Sequence, residues 1–473
     1  MLKKHLPLII LIFISLENIY SQSFSPEVQK FIVQQDSLIA ITDVLLIDGT
    51  GKAPQQNTTV ILEKGKIKAV GKSSEIEIPG NALVINGKGK TLIPGLVMMH
   101  EHLFYTKMFE NFFDVTQMSY SFSRLYLAGG VTTMRTAGSI EPQTDLNIKK
   151  FIEEGRLTGP KMDVTGPFIE RKSRIGTLGS INDTDEIGKM IDYWSGKGVT
   201  SFKLYNNITR EDMAKTVTEA HKRGLKVTGH LCSVTYEEAS NLGLDNLEHG
   251  FMAASDFYPE KEPDMCNPFA ASSGRYSEPI DGERIDRIIN LLIKNGTAIT
   301  STPNVFEPYT GREIVPGGGM EALTAQLKER EINIYNSRLG KDQLSTEMFD
   351  KNLQWLKRFY EKGGHLMAGT DPTGSGRTVA GYANQRTIEI FVEAGFSLVD
   401  AIKICTLNGA IYLEQDNQIG SIEAGKVADL ILIGGDLSAS ISNIRKTEIV
   451  FKNGIGYDSQ AMFDSVKGKV GAE

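Results

Sequence analysis

The chain is poor in cysteine, with three in 473 residues (Cys232, Cys266, Cys405), and poorer in tryptophan, with two. Three cysteines cannot staple a disulfide scaffold, and none forms a C-x-x-C pair, so a zinc knuckle is excluded. Neither sign of charge dominates: 51 basic against 58 acidic residues leave a net charge of -7. That balance excludes a polybasic nucleic-acid binder and equally an acidic disordered chain. What is present is ordinary for a folded protein, with 40% apolar residues, 47 Gly and 23% charged. The length leaves room for a domain of about 250–300 residues plus a smaller one.

The first residues read as a leader. Lys3, Lys4 and His5 give a basic start, Leu6–Leu16 an apolar stretch of 11, and a polar segment with small residues near Ser21 follows. Eleven residues are too few for a spanning helix, which needs about 20. The pattern is that of a secretory signal over residues 1–22, with the mature chain starting near Gln22 or Ser23. An uncleaved N-terminal anchor is the other reading. Export to the periplasm or the medium is expected, with at most one disulfide and one buried thiol.

From Ser37 to Leu92 short strands alternate with glycine-punctuated turns, and the same texture returns in QIGSIEAGKVADLILIGG and TEIVFKNGIGYD near the end. These two pieces, 37–92 and 411–473, are expected to pair into one small β domain, because the termini of an inserted domain lie close together. Between them, over 93–410, eight apolar runs recur: LVMMH (96–100), VTTMRT (131–136), KMDVTG (161–166), VTSFKLY (199–205), KVTGHL (226–231), LDNLEHG (244–250), TAITSTPNV (297–305) and HLMAGTD (365–371). Segments with helical pattern separate them, the clearest being 209–224, where Thr209 caps, Asp212 sits in the first turn and Gly224 follows the end. Residues 285–294 and 348–362 read likewise. Buried strands alternating with helices imply a parallel sheet, and eight units over this length suit a (β/α)8 barrel. An open doubly wound sheet fits the periodicity too, but no G-x-G-x-x-G turn follows the first strand.

Seven histidines sort by position. His5 lies in the leader, His221 near a helix C-terminus where a dipole contact explains it, and His365 at the start of the eighth run. His100, His102, His230 and His249 all stand at the C-terminal ends of apolar runs, the face on which barrels build active sites. In a strand, residues i and i+2 point the same way, so His100 and His102 can converge on one metal ion, with His230, His249 and Asp371 as further ligands from other strands. Each alone is more often a satisfied core or surface residue. Five together at strand ends read as a metal centre. Lys203 stands inside an apolar strand, a costly position unless it is paired, modified or snorkelling to the rim. Burial lowers a lysine pKa, and the neutral amine can take up carbon dioxide to give a carbamate that bridges two divalent ions.

Together PGLVMMHEH, GVTSFKLY, GLKVTGHL, DNLEHGF, MAGTDP and GSIEAGKVADLILI resemble the amidohydrolase superfamily, more narrowly its imidazolonepropionase-like branch, which includes metal-dependent dipeptidases and prolidases. The resemblance runs from about Ile39 to Gly456. It implies a (β/α)8 TIM barrel with a small β-sandwich built from both ends of the chain. It also implies site roles. His100, His102 and Asp371 match ligands of the more buried metal, His230 and His249 those of the second, and Lys203 the carbamate bridge. Asp371 doubles as general base, and Tyr205 is placed to polarise a carbonyl or hold an oxyanion, its alternative being an ordinary barrel-filling aromatic. Two departures from the pattern stand out: Met98, where many members carry aspartate, and Arg135-Thr136, where an Arg-Asp pair is common. Both bear on tuning around the ligands.

Histidine and carboxylate ligands with an open position suit zinc, with two ions per chain expected. A zinc deaminase on this barrel would carry an acid three residues after the fifth-strand histidine, where this chain has Ser233. The expected reaction is therefore hydrolysis of an amide bond in a dipeptide or N-acyl amino acid by a metal-activated hydroxide, with a cyclic amide or lactone as the alternative substrate. A silent metal-containing binding protein is the rival of a different class, and it has no use for Asp371. The expected partners are a small-molecule substrate and at most further copies of the chain, with no nucleic acid and no stable membrane anchor once the leader is removed. Two long segments, 253–281 and 306–344, read as specificity loops. Arg377, just beyond Asp371, is a candidate for a substrate carboxylate.

Overall fold

A computed structural model of the chain describes residues 23–108, 113–171, 180–313, 318–339, 341, 343–373 and 378–471. The expected leader at 1–22 and Arg377 lie outside them. Among the described residues no helix is long and apolar enough to cross a membrane.

Each of the eight apolar runs contains a strand. We number them β1 (Leu96–Glu101), β2 (Val131–Thr136), β3 (in two segments, Lys161–Asp163 and Thr165–Ile169), β4 (Ser201–Leu204), β5 (Lys226–Gly229), β6 (Asn246–Glu248), β7 (Ala298–Ser301) and β8 (Leu366–Ala368). All pair in parallel: β1 with β2, β2 with the first segment of β3, and then the second segment of β3 through β4, β5, β6 and β7 to β8. A single parallel bridge, Ser139 to Pro167, ties the exit of β2 to the second segment of β3. At the opposite side, the backbone N–H groups of Thr370 and Asp371, just past β8, both donate to the His100 carbonyl in β1 at 3.1 Å. The last strand's exit therefore lies against the first strand, and the fold is TIM-barrel-like. Strand residues such as Leu96–Glu101 are buried throughout without alternation, as expected where both faces are covered.

Helices form where caps and stripes coincide. In α1 (Arg210–His221) Thr209 and Asp212 make a reciprocal capping box, and Gly224 beyond it adopts φ +69°. In α3 (Glu283–Asn295) Ile285, Ile288, Ile289 and Leu292 bury one face, and Gly296 closes the end at φ +72°. The two long segments expected as loops are not structureless: one carries α2 (Pro268–Ser277) and the other α4 (Ala325–Arg338), followed by α5 (Gln343–Glu361). Proline opens α2, a position it favours, and α4 holds neither Gly nor Pro, so the turn-rich flanks hid both. His221 also differs from expectation: its Nε2 meets Asp245 Oδ2 at 2.9 Å, a side-chain partner beyond the helix dipole. His365 Nε2 meets the carbonyl of Asn408 at 2.9 Å, a structural role.

The two ends of the chain meet in one nine-stranded sheet. Its pairing order is Ile32–Gln34, Ile455–Asp458, Thr447–Lys452, Leu430–Ile433, Thr91–Pro94, Leu38–Leu46, Gln55–Glu63 and Lys66–Lys72, with Leu83–Asn86 alongside Leu38–Leu46. Its own core is mostly aliphatic, including Ile39, Val60, Leu92 and Leu430, with Phe451 among them. Lys161 reaches Asp429 at 2.7 Å, and Lys452 donates to the Gly159 carbonyl at 2.5 Å, joining the sheet to the β3 side of the parallel strands.

The β8–β1 approach depends on Gly369. A Cβ there would stand 2.3 Å from His100 Cβ and 2.7 Å from its backbone nitrogen. Gly369→Ala is expected to force the two strand ends apart and cost about 1–3 kcal/mol, as overpacking does. Denaturant unfolding reads this directly, and unchanged stability would mean that the approach is looser than described here.

Candidate active site

Burial dominates the chemistry at the strand ends. His100 sits in β1, His102 just past it, Lys203 in β4 with Tyr205 immediately after, His230 after β5, His249 after β6 and Asp371 three residues past β8. All are buried or nearly so, Asp371 keeping 13% exposure. His249 and Asp371 leave their strands in left-handed conformations, φ +69° and +53°, which non-glycine residues adopt only under local constraint.

The ligand atoms of His100, His102 and Asp371 lie within 4.8 Å of one another. His102 Nε2 is 3.3 Å and His100 Nε2 3.7 Å from Asp371 Oδ1. The other ring nitrogens are engaged: His100 Nδ1 pairs with Glu248 Oε2 at 2.6 Å, and His102 Nδ1 with the Gly138 carbonyl at 3.1 Å. Both partners accept, so each Nδ1 carries the proton and each Nε2 offers its lone pair inward, the outer-shell device that orients metal-binding histidines. His249 Nδ1 meets Thr302 Oγ1 at 2.7 Å, and its Nε2 is buried without a hydrogen-bond partner. The rings pack closely, His230 to His249 at 4.3 Å and His100 to His249 at 4.6 Å between centroids.

Desolvation depresses the histidines, to about 4 for His102 and about 3 for His230, with His249 well below its ordinary value. Their lone pairs are thus available at neutral pH. Burial alone would raise the Asp371 carboxyl, but the surrounding imidazoles, His100 foremost, outweigh it and hold it well below the usual carboxylate range. Burial also draws Lys203 down to about 8, against the pull of Glu248 and Asp371. Its Nζ lies 3.3 Å from His100 Nε2 and 5.3 Å from the Phe168 ring centroid, and it forms no ion pair with a described carboxylate. Tyr205 packs edge-on against Phe168 and His230, and burial keeps its phenol protonated. His102, Phe168, Lys203, Tyr205, His230, His249 and Asp371 line a cavity of about 110 Å3.

The sequence reading missed the network behind the histidines. Glu248, fully buried, accepts from Arg135 Nη2 at 2.6 Å, from Asn246 Nδ2 at 2.9 Å and from Thr228 Oγ1, besides binding His100. Burial would raise its carboxyl; His100 and Arg135 bring it down to about 2. The signal was present as an acid and an arginine inside two runs of otherwise buried type, DNLEHG and VTTMRT. Glu101, between the two histidines, is held by Thr370 and by Asn384 at 2.9 Å, and burial pushes it up to about 8. Ser233 Oγ donates to the Ile208 carbonyl at 2.6 Å and accepts from its N–H at 3.0 Å, a turn-holding role.

Residues 91–456 match the amidohydrolase family. The chain is 23% identical over 406 residues to an imidazolonepropionase of Geobacillus sp. (strain WCH70), covering 80% of this chain and 84% of that protein. It is 26% identical over 215 residues to an enamidase of Eubacterium barkeri, covering 43% and 52%. Among solved structures it is similar to a Xaa-Pro dipeptidase with methionine bound in the active site, with TM-score 0.64, 20% identity, and coverage of 89% of this chain and all of that one. The chain belongs to the amidohydrolase family and is by that membership a hydrolase of carbon–nitrogen bonds. Members of the family generally bind metals.

Removing the Glu248 carboxylate leaves Arg135 charged and buried without its partner. Glu248→Ala is expected to cost about 3–5 kcal/mol in stability. Urea unfolding of the two proteins measures the difference, and a loss under about 1 kcal/mol would remove the network from the account.

Proposed function

We propose that this member of the amidohydrolase family is an exported, metal-dependent amidase acting on dipeptides or N-acyl amino acids. The observation that carries the reading is the inward convergence of His100 Nε2, His102 Nε2 and an Asp371 carboxylate oxygen within 4.8 Å, with both outer ring nitrogens already engaged. Neutral imidazoles and a carboxylate are donors for zinc, and the partnerless, buried His249 Nε2 fits the same need. In this reading His100, His102 and Asp371 hold one zinc ion, and His230 and His249 a second. Lys203 Nζ would attack the carbon of carbon dioxide, forming a C–N bond while the amine releases one proton to water, and the resulting carbamate would offer its oxygens as further ligands. The depressed Lys203 pKa supports that step, since it puts more of the amine in its neutral, nucleophilic form. When bound, zinc lowers the pKa of a water toward 7 and polarises a carbonyl.

The chain's own groups do the rest. Asp371, held ionised, accepts a proton at its carboxylate and passes it to the leaving nitrogen as the C–N bond breaks. Tyr205 keeps its proton and offers a hydrogen bond to the substrate carbonyl oxygen, where negative charge develops. Phe168 and Phe104 beside the histidines keep the cavity apolar, which strengthens each of these interactions.

The same reading takes residues 93–410 as a (β/α)8 barrel, with 37–92 and 411–473 as a β-sandwich domain, after loss of a leader at 1–22. The Cys232–Cys266 disulfide, with Cys405 buried and free, supports an oxidising destination.

Zinc-loaded protein is expected to release free amine from a panel of dipeptides and N-acyl amino acids, and Asp371→Asn to lower kcat by on the order of 100-fold or more. No release across the panel would move the assignment to cyclic amides and lactones, and failure there would leave a binding protein. Lys203→Ala is expected to lower metal content and activity together, with partial recovery when short carboxylic acids are supplied. Full activity without Lys203 would end the carbamate proposal.

A further inference from the structure

A larger cavity of about 340 Å3 adjoins the histidine cavity and shares Tyr205 and His230 with it as wall residues. The helix α2 brings Arg275 into its lining. Arg275 is only 9% exposed. Its Nη1 donates to the Ala254 carbonyl at 2.7 Å, but its Nε is buried with no hydrogen-bond partner, and it makes no ion pair with any described carboxylate. Asp256, an acid in its neighbourhood, is already taken by the backbone N–H groups of Tyr236 and Glu237 at 2.9 and 3.0 Å. Glu170, also in the lining, accepts from the Asn207 backbone at 3.2 Å and side chain at 2.9 Å. A guanidinium stays charged at any physiological pH, and burying one without a counter-ion is strongly unfavourable unless something else supplies the anion. The Cys232–Cys266 disulfide lies in the same wall. It joins a residue two past His230 to a residue two before α2, so it holds the arginine's helix against the strand end that carries His230.

We propose that Arg275 binds a free carboxylate of the substrate, so that the bond cleaved is the amide next to a C-terminal amino acid. This rests on the amide-hydrolase reading given above. The substrate then spans both cavities, its carboxylate on Arg275 and its acyl carbon passing Tyr205 and His230 to the Asp371 side. Water adds its oxygen to the acyl carbon, the C–N bond breaks, and the proton goes to the leaving nitrogen. The amino acid set free keeps its carboxylate. A chain whose C-terminus is blocked as an amide lacks the group that Arg275 requires.

Two measurements test this separately from the reaction. Calorimetric titration of the metal-free protein uses N-acetyl amino acids with small, branched, aromatic, cyclic, basic and acidic side chains, each beside its primary amide. The preferred acid is expected to bind at least tenfold tighter than its amide. Arg275→Gln should erase that advantage while leaving the amide's affinity in place, and Arg275→Lys should keep part of it. Equal binding of acid and amide by the unaltered protein across the whole panel, or no binding of either, overturns the proposal without recourse to a variant. So does a preference that survives Arg275→Gln. The second measurement compares kcat/KM of the zinc-loaded enzyme for dipeptides and their C-terminal amides. Hydrolysis of both at equal kcat/KM would keep the amidase and discard the anchor. An acid preference in binding with no hydrolysis anywhere would keep the anchor and discard the amidase.

Discussion

One buried anion organises this site. Glu248 accepts from groups on four strands: His100 on β1, Arg135 on β2, Thr228 on β5 and Asn246 on its own strand, β6. A carboxylate with no exposure survives in its charged form only while all of these donors stay in place. Strand register and ligand orientation are therefore one constraint. If β1 slid relative to β6, His100 would lose the acceptor that keeps the proton on its Nδ1, and Arg135 would lose its counter-ion. The register of these four strands is specified at this level by charge, above a core specified by shape.

The same lack of water that makes Glu248 demanding makes the histidines useful. Desolvation keeps His102, His230 and His249 neutral, and it weakens the hold of Lys203 on its proton. Protein interiors do not tolerate four imidazoles, a carboxylate and an amine packed this closely for stability's sake. His249 and Asp371 in left-handed backbone conformations add to the cost. Gly369 belongs to the same arrangement, since a side chain there would push the Asp371 segment away from His100. The expense of the site is offset by the aliphatic and aromatic core around it, and function is the reason a fold keeps such features.

Much of this was legible in the sequence, and the reason is local. Buried strands show as unbroken apolar runs, so a polar residue at the end of one, such as His230 or His249, announces itself. The eight runs each contain a strand, and the ligand candidates do stand at strand exits. What stayed hidden depends on which residues meet across the sheet. Glu248 precedes His249 and reads as its neighbour, while its true partners are 113 and 148 residues away, at Arg135 and His100. The helices α2 and α4 were masked by turn-forming flanks. Met98, noted as a departure, is fully buried in the core cluster, where a methionine fills space and a lone aspartate would need partners.

Rigid and variable parts divide the labour. The candidate ligands stand at strand ends, and those of β1, β5 and β6 are tied to one another through Glu248, whereas the β6-to-β7 connection that carries α2 is free of that network and is fastened by a disulfide. A covalent tie at Cys232 and Cys266 sets how far α2 stands from His230 without adding any buried charge. Under the proposed reading, the distance from the histidine cluster to the lining of the larger cavity would be what measures a substrate's length. That lining includes one buried arginine without an ion pair to a described carboxylate, so under the same proposal selection by length and by charge would fall to one helix.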